Sequence, residues 1–219
     1  MKAECEWEKL RGFVSGALEG PQATVWDLGN EVLYRLCAEY PNHLRPDVII
    51  AKVWLIGRAY ATAIERRRKK GNALGDKFYT ELVGPCFLRS GIDTWFGEFR
   101  IKESQQRRSY ALQLHNNLKN LLKCISGLEK RSFASKYLHF HFPEDFYIFD
   151  SRADKAVTKI LAKFSKNTRF KTKCEGTDPV YARFTARCEQ LEADLSGLIG
   201  CHLSPRALDK VLLGWDVND

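Results

Sequence analysis

Along this chain, apolar residues recur mostly three or four positions apart, and stretches in which apolar and polar residues alternate are scarce. A spacing of three or four places side chains on one face of an α-helix, whereas strict alternation would indicate a strand. The pattern therefore predicts an all-α fold. No internal repeat, low-complexity tract or long linker interrupts it, so the chain is expected to form a single compact helical unit.

Apolar faces, together with residues that start or stop helices, predict the individual elements. The predicted helices run from Trp7 to about Gly20, along the apolar face of Val25, Leu28, Val32, Leu33 and Leu36, from Pro46 through Tyr60 into ERRRKKG, from Asp76 to Leu88, from Gln105 to Ile125, and over RSFASKYLHFH, DSRADKAVTKILAKF, PVYARFTARCEQLEADLSGLIG and SPRALDKVLLGW. Ser204 followed by Pro205 is a typical helix start. The glycine-punctuated RSGIDTWFGEFR is expected to be irregular, and SKNTRFKTKCEGTD to form an exposed basic loop.

The composition indicates how large a core the chain can bury and which kind of partner it favours. Of 219 residues, 44% are hydrophobic, which suffices for one sizeable core or for a core split between two lobes. Lysine and arginine number 35 against 27 acidic residues, which gives a formal net charge of +8. Such an excess favours a polyanionic partner.

The cysteines and the longest apolar stretch indicate the compartment. Seven cysteines are scattered singly, which is typical of free thiols in a reducing compartment and argues against a zinc or iron–sulfur site. We expect neither a metal nor another cofactor. Acidic residues in MKAECEWEKL predict no export signal, and Lys52 and Arg58 interrupt the apolar stretch VIIAKVWLIGRAYATAI. The expectation is a cytoplasmic protein that does not engage a membrane.

The stretch FYIFDSRADKAV, residues 146–157, changes at Asp150 from an aromatic and apolar run to a helix start. Aspartate before an apolar helical repeat is a normal N-cap, because its side-chain oxygen accepts the free amides of the first turn. One carboxylate oxygen can cap while the other faces a substrate. Capping and catalysis are therefore compatible roles for Asp150.

The longer block SGLEKRSFASKYLHFHFPEDFYIFDSRADKAV, residues 126–157, resembles the helix-hairpin-helix DNA glycosylase superfamily. The resemblance implies a two-lobed helical bundle. One lobe would hold about 1–104 with the C-terminal helices, and the other about 105–175 with the hairpin and the catalytic aspartate. The family hairpin is usually Gly-x-Gly, so that its backbone amides can approach a DNA phosphate. Here the turn is GLEK, with Gly127 alone.

The same resemblance implies roles for individual residues. With Ala134 placed on the family's alanine, Asp150 falls on the catalytic aspartate, and Ser132 falls on the Schiff-base lysine of the bifunctional members. Breaking an N-glycosidic bond builds positive charge on the deoxyribose, which a nearby carboxylate stabilises. Since strand cleavage through a Schiff base needs an amine, a monofunctional DNA glycosylase without β-lyase activity is implied, and a lyase step that uses Lys130 or Lys136, both close in sequence, stays open as the alternative.

A glycosylase extrudes its base from the stack and holds it between flat or apolar surfaces. The aromatic candidates for such a pocket are Trp54 and Tyr60, and Trp95 and Phe96 in the segment expected to be irregular. Ser132, Lys136 and His139 share one face of their predicted helix and are expected to line the pocket or contact phosphate. A histidine buried against the backbone is the alternative for His139. The basic residues expected to contact DNA phosphates are Lys130, Arg131, Arg152, Arg66, Arg67, Lys166 and Arg169.

Two segments, KVWLIGRAYAT and SFASKYLHFHFPEDFYIFDS, together resemble a group of bacterial proteins associated with anti-phage defence. That resemblance implies excision of α-glucosyl-hydroxymethylcytosine from phage DNA, leaving abasic sites. The implied partner is double-stranded DNA, with no obligate protein partner.

Two other functions are considered. The incomplete hairpin favours a non-catalytic helical protein that binds DNA or regulates, whereas Asp150 at the family spacing disfavours it. A helical ribonuclease using Arg108 and His115, seven residues apart on one predicted helix, is the last alternative.

Overall fold

The computed structural model of the protein describes residues 8, 10–16, 24–66, 77–164 and 175–218, with side chains as far as residue 215. Every regular element in these ranges is helical, which confirms the all-α prediction. The helices are α1 (residues 10–16), α2 (Val25–Glu39), α3 (Pro46–Ala59), α4 (Gly84–Arg89), α5 (Ile92–Arg100), α6 (Ser104–Ser126), α7 (Arg131–His141), α8 (Ser151–Phe164), α9 (Pro179–Ile199) and α10 (Pro205–Asn218), with a π-helical stretch, Phe78–Val83, before α4.

The chain divides into two compact units. Unit 1 comprises Met1–Gln22, Pro143–Glu175 and Pro179–Asp219, and unit 2 comprises Ala23–Phe142 and Gly176–Asp178. This division does not follow the boundary expected near residue 104, since α5 and α6 pack together within unit 2: the Arg107 guanidinium of α6 lies 4.6 Å from the centroid of the Phe99 ring of α5. The hairpin consequently belongs to unit 2 and Asp150 to unit 1, rather than both to one lobe.

In unit 2, α2, α3 and α7 pack against one another, and α3 also packs against α4 and the π-helical stretch. Large side chains from all these elements are fully buried. The core includes Leu33, Ile49, Val53, Ile56, Phe78, Val83, Phe87, Phe96, Phe99, Leu118, Leu122, Ile125, Phe133, Tyr137 and Leu138. Helix α7 is the most completely enclosed of them, since every residue from 133 to 140 is buried.

Helix α2 forms where predicted but buries a different face. Thr24 caps it through a reciprocal pair of bonds with Asp27, a capping box. The buried residues are Asn30, Leu33 and Cys37, which lie on the face that packs on α3 and α7. The predicted apolar face is largely exposed, and its members Val25, Leu28 and Val32 have 85%, 60% and 51% of their surface accessible.

Helix α3 starts at Pro46 as predicted but does not continue into ERRRKKG. It ends at Ala59, and the chain then turns back over Gly57, whose Cα hydrogen faces the backbone of Ala63: a Cβ there would lie 3.0 Å from Ala63 Cα. Ala61 takes a left-handed backbone with φ of 52°, which completes the reversal. Glu65 fixes this turn, because its carboxylate binds Arg58 at 2.6 Å and Tyr79 Oη at 2.6 Å.

The segment RSGIDTWFGEFR is helical over α5, so the prediction of an irregular loop there is wrong. Ile92, Phe96 and Phe99 recur at four and three residues and are all buried, so the helical spacing prevails over the glycines. Gly91 stands just before the helix and lies against the Trp95 ring, where a Cβ would approach Trp95 Nε1 to 3.0 Å. The helix therefore starts beside a glycine rather than being broken by one.

In unit 1, α8 packs against both α9 and α10. Apolar residues from the three helices and from the segment before α8 form its core, including Phe146, Ile148, Ala156, Val157, Ile160, Tyr181, Phe184, Cys188, Leu191, Leu195, Leu208 and Val211. Phe13 of α1 meets Trp215 of α10 edge-on, with ring centroids 5.5 Å apart. Ser204 caps α10 as predicted, since its Oγ accepts the Ala207 amide at 3.2 Å.

The predicted boundaries of α6, α7, α8, α9 and α10 are confirmed to within a few residues. Among the described residues, none of the helices combines the length and the apolar character that crossing a membrane requires. Of the segment predicted as a basic loop, residues 165–174 lie outside the described ranges.

Candidate functional site

Asp150 lies at the N-terminus of α8, where it caps the helix. Its Oδ1 accepts hydrogen bonds from the amides of Arg152 at 3.0 Å and Ala153 at 2.9 Å. Asp150 is half-buried, so the carboxylate is held in a defined orientation without being sealed in the core. The capping role predicted from the sequence is thus confirmed.

The chain that leads to Asp150 is anchored in unit 1. Phe146 and Ile148 are buried, and Tyr181 Oη donates to the Tyr147 carbonyl at 3.0 Å. The Phe149 ring stands edge-on to Phe184, with centroids 5.1 Å apart. These contacts fix the backbone immediately before the carboxylate, just as the α8 amides fix its side chain.

In unit 2, α7 brings Ser132, Lys136 and His139 onto one face, as their spacing predicts. Lys136 Nζ donates to Ser132 Oγ at 3.0 Å, and Lys136 is 1% exposed. Tyr60 lies beside them, with its ring centroid 5.5 Å from Lys136 Nζ. Four of the predicted pocket residues therefore meet at one place in unit 2.

Two residues of α2, which the sequence interpretation missed, complete this group. Tyr34 Oη lies 2.6 Å from His139 Nε2, and Tyr60 Oη donates to Asn30 Oδ1 at 2.8 Å. We call Asn30, Tyr34, Tyr60, Ser132, Lys136 and His139 the Tyr60 cluster. One sequence signal could have indicated Asn30 and Tyr34: they lie four residues apart, on the side of α2 away from the predicted apolar face.

The other aromatic candidates lie elsewhere. Trp54 is 44% exposed on α3, where the Arg58 guanidinium lies 5.5 Å from its ring centroid. Phe96 is fully buried in the core of unit 2, against His141 and Phe142. Trp95 is half-buried on α5 rather than in the predicted loop.

The basic residues predicted to contact DNA have several different environments. Lys130 Nζ donates to the Arg66 carbonyl at 2.7 Å, which brings together two residues predicted separately. Arg152 is exposed in the first turn of α8. Three further candidates, Arg67, Lys166 and Arg169, lie outside the described residues.

Arg131 belongs to an ion network inside unit 2. Its Nε and Nη2 bind the Asp178 carboxylate at 2.6 and 2.8 Å, and Lys119 Nζ binds the same carboxylate at 2.7 Å. Asp178 is 2% exposed, so two cations from α6 and α7 neutralise one buried acid. This bidentate pairing raises the pKa of Arg131 and assigns it a structural role that the sequence did not predict.

The hairpin between α6 and α7 exists but lacks the features of a phosphate grip. Gly127 ends α6 in a left-handed conformation with φ of 73°, and its amide donates to the Lys123 carbonyl at 2.8 Å. Glu129 follows two residues later and pairs with Lys123 and with Arg131, at 3.4 and 3.3 Å. These ion pairs engage the Lys123 and Arg131 side chains, so the hairpin differs from Gly-x-Gly in its charges as well as in its backbone.

The opposite face of α7 carries a second polar network, which we call the Tyr137 network. His43 Nδ1 lies 2.7 Å from Asp93 Oδ1, and His43 Nε2 lies 2.7 Å from Tyr137 Oη. Burial lowers the pKa of His43 to about 4, although Asp93 opposes the shift. The His141 ring lies tilted against that of His43 with centroids 5.5 Å apart, and burial lowers the pKa of His141 well below its usual value.

His115, the proposed ribonuclease residue, is fully buried on α6. Its Nε2 lies 3.2 Å from the Arg131 carbonyl, and burial lowers its pKa to about 3. A histidine sealed against the backbone cannot exchange protons with a substrate, so the structure gives no support to the ribonuclease alternative.

No known family, curated protein or solved structure matches this chain.

Proposed function

We propose that the protein is a monofunctional DNA glycosylase that excises a modified base, α-glucosyl-hydroxymethylcytosine in phage DNA, and leaves an abasic site. The observation that carries the proposal is the half-buried Asp150 carboxylate, held at the start of α8 by the Arg152 and Ala153 amides. The position of this aspartate after a helix, a hairpin and a second helix supports it further. The identity of the base rests on the sequence resemblance.

In this proposal, Asp150 acts on the sugar of an extruded nucleotide. As the N-glycosidic bond breaks, positive charge grows on the deoxyribose, and the carboxylate stabilises this charge more than it stabilises the neutral ground state. The carboxylate also orients the attacking water. Because the amides of α8 and the buried chain before it fix the carboxylate in advance, little reorganisation is needed during the reaction.

The test compares DNA that contains α-glucosyl-hydroxymethylcytosine, DNA that contains hydroxymethylcytosine, and unmodified DNA. After incubation with the protein, alkali converts abasic sites into nicks, and mass spectrometry identifies the free base. We expect release of the glucosylated base and nicks that appear only after alkali, since no lyase step is proposed.

Asp150→Asn is the decisive variant, because asparagine caps a helix about as well as aspartate but carries no charge. We expect base release to fall by about 100-fold or more while the thermal midpoint stays within about 2 °C. Undiminished release by Asp150→Asn would refute the site. Asp154→Asn serves as the matched control, since Asp154 also lies in the first turn of α8 but pairs with Arg187 at 3.1 Å.

The alternative of a non-catalytic DNA-binding protein predicts DNA binding without any base release. Both proposals require binding that weakens steeply with salt, because neutralised phosphates release counterions. The incomplete hairpin favours this alternative, because a feature that the catalytic family shares is missing from it. Salt-independent binding would contradict DNA as the partner in either case.

A further inference from the structure

The Tyr60 cluster contains a buried donor that the proposed chemistry does not use, the side-chain amide of Asn30. Asn30 is 4% exposed, and its Oδ1 accepts the hydrogen bond from Tyr60 Oη. Within the described part of the chain, its Nδ2 has no hydrogen-bond partner. An amide donor buried without a partner is costly, and native proteins keep few such groups without a reason.

The surroundings of Asn30 suit a flat ligand that carries oxygen atoms. Phe140 packs against both tyrosines of the cluster, with ring centroids 4.9 Å from Tyr34 and 5.7 Å from Tyr60. Lys136 adds an ammonium group within 5.5 Å of the Tyr60 ring centroid. The six side chains of the cluster include amide, ammonium and hydroxyl donors and no carboxylate. They can therefore donate hydrogen bonds to acceptor atoms of a ligand.

The cluster also has a side that solvent reaches. Tyr34, Tyr60 and Ser132 are half-buried, whereas Asn30, Lys136 and His139 lie behind them and are almost fully buried. The Tyr60 hydroxyl holds the Asn30 amide through its oxygen, which leaves the nitrogen as the end with unused donors among the described residues.

We propose that Asn30 is a specificity-determining residue of a base-binding site in unit 2, and that its Nδ2 donates to an oxygen of the substituent on the extruded base. The ligand class is a pyrimidine with an oxygen-bearing group at carbon 5, since unmodified cytosine offers only hydrogen there. This inference rests on the proposed function only for the nature of the ligand. Bound ligand satisfies the orphan donor, which otherwise destabilises the empty protein.

The test measures equilibrium binding in the Asp150→Asn background, so that no base is consumed. The probes are duplexes with a single cytosine, hydroxymethylcytosine or α-glucosyl-hydroxymethylcytosine. We expect the Asp150→Asn protein to bind a modified duplex about tenfold or more tightly than the unmodified one. Adding Asn30→Leu should remove most of that preference, while the affinity for the unmodified duplex changes by less than about twofold.

Thermal unfolding of the free protein gives a second and independent result. Because leucine has the branching and the number of side-chain heavy atoms of asparagine and needs no hydrogen bond, we expect Asn30→Leu to raise the melting temperature by about 2–4 °C. Tyr60→Phe, which frees the amide from its anchor, should reduce the preference by a smaller factor. Val32→Ala, on the exposed face of the same helix, is the control that changes neither measurement.

Three outcomes would overturn the inference: an Asp150→Asn protein without preference for modified DNA, an Asn30→Leu variant that keeps the preference, or one that melts at a lower temperature. The last would make Asn30 a purely structural residue. Base release by the wild-type protein is measured separately. A preference that depends on Asn30 in a protein that releases no base would leave the binding site standing and refute the glycosylase.

Discussion

The two faces of α7 differ in how their polar groups are used. On one face, Ser132, Lys136 and His139 belong to the Tyr60 cluster, in which the Asn30 amide nitrogen finds no partner among the described residues. On the other, Phe133, Tyr137 and His141 belong to a region in which His43 joins Asp93 to Tyr137 through two bonds of 2.7 Å. On the second face His43 uses both ring nitrogens in bonds within the fold, whereas on the first the Asn30 amide keeps a donor that the proposed ligand would use. We therefore expect substitutions in the Tyr137 network to act mainly on stability, and substitutions in the Tyr60 cluster to act mainly on the proposed binding.

Acid should act mainly through the enclosed histidines of unit 2, and this is the largest effect we expect. The folded-state pKa is about 4 for His43 and about 3 for His115, against a usual value of 6.5, and that of His141 is also strongly lowered. Below pH 6.5 the unfolded chain binds protons that the folded chain does not, so stability falls as the pH drops from 6.5 towards 4. Each such histidine removes about 1.4 kcal/mol per pH unit.

Urea unfolding between pH 7 and pH 4 checks this expectation. Stability that stays constant across that window would show that these histidines are not buried as described. Replacing His43 by glutamine, which keeps the hydrogen-bonding groups without the titration, should make the loss on acidification shallower.

Tyr137→Phe breaks the enclosed network directly. The substitution leaves His43 Nε2 without its partner in the core, and we expect a loss of about 1–3 kcal/mol in the free energy of unfolding. Denaturant titration at pH 7 measures it. Tyr40→Phe, at a residue outside both networks, is the matched control and should cost less than about 0.5 kcal/mol; an equal loss in the two variants would remove the distinction.

Lys136→Met tests the Tyr60 cluster, where we expect a small effect on stability and a large effect on DNA preference. Methionine has a similar length and no charge to bury, so stability should change by less than about 1 kcal/mol. The preference for modified DNA should fall by about tenfold, because a donor of the Tyr60 cluster is lost. Competition binding with the duplexes described above measures the preference, and Lys123→Met, on the exposed surface of α6, should leave it intact.

Ser132→Ala should give the smallest effect. Ser132 is half-buried and supplies an oxygen to Lys136 at 3.0 Å, so its loss should cost less than about 0.5 kcal/mol and change base release by less than about threefold. A loss comparable to that of Asp150→Asn would instead place Ser132 in the chemistry. Single-turnover base release distinguishes the two results.

The sequence predicted best the elements whose ends carry a local signal. Gly127 ends α6 in a left-handed conformation, Asp150 caps α8, and Ser204 caps α10, so each boundary depends on residues next to it in the chain. The face of α2 could not be predicted in this way. Its apolar residues Val25 and Val32 are exposed and its Asn30 is buried, because the packing partners lie on distant α3 and α7.

The candidate site follows the same rule: local groupings could be predicted, and contacts between distant elements could not. Lys136 and His139 were grouped correctly because both belong to α7, and helical spacing alone determines that they share a face. The tertiary fold brings their partners from distant parts of the chain: Tyr34 lies 105 residues before His139, and Tyr60 contacts Lys136 from well before α6. Phe96 was misplaced because Gly91 and Gly97 suggested a loop, although its spacing to Phe99 was helical.

The buried Asp178 has a consequence for synthesis of the chain. Lys119 and Arg131 belong to the contiguous part of unit 2, but the carboxylate that neutralises them comes from the short segment Gly176–Asp178. On the ribosome, all of Ala23–Phe142 emerges before that carboxylate does, at about 5–20 residues per second. For a few seconds the nascent helices α6 and α7 carry these two cations without Asp178, and the partly exposed Glu129 stands beside them. Unit 2 therefore completes its buried ion network only after the segment before α9 has been made.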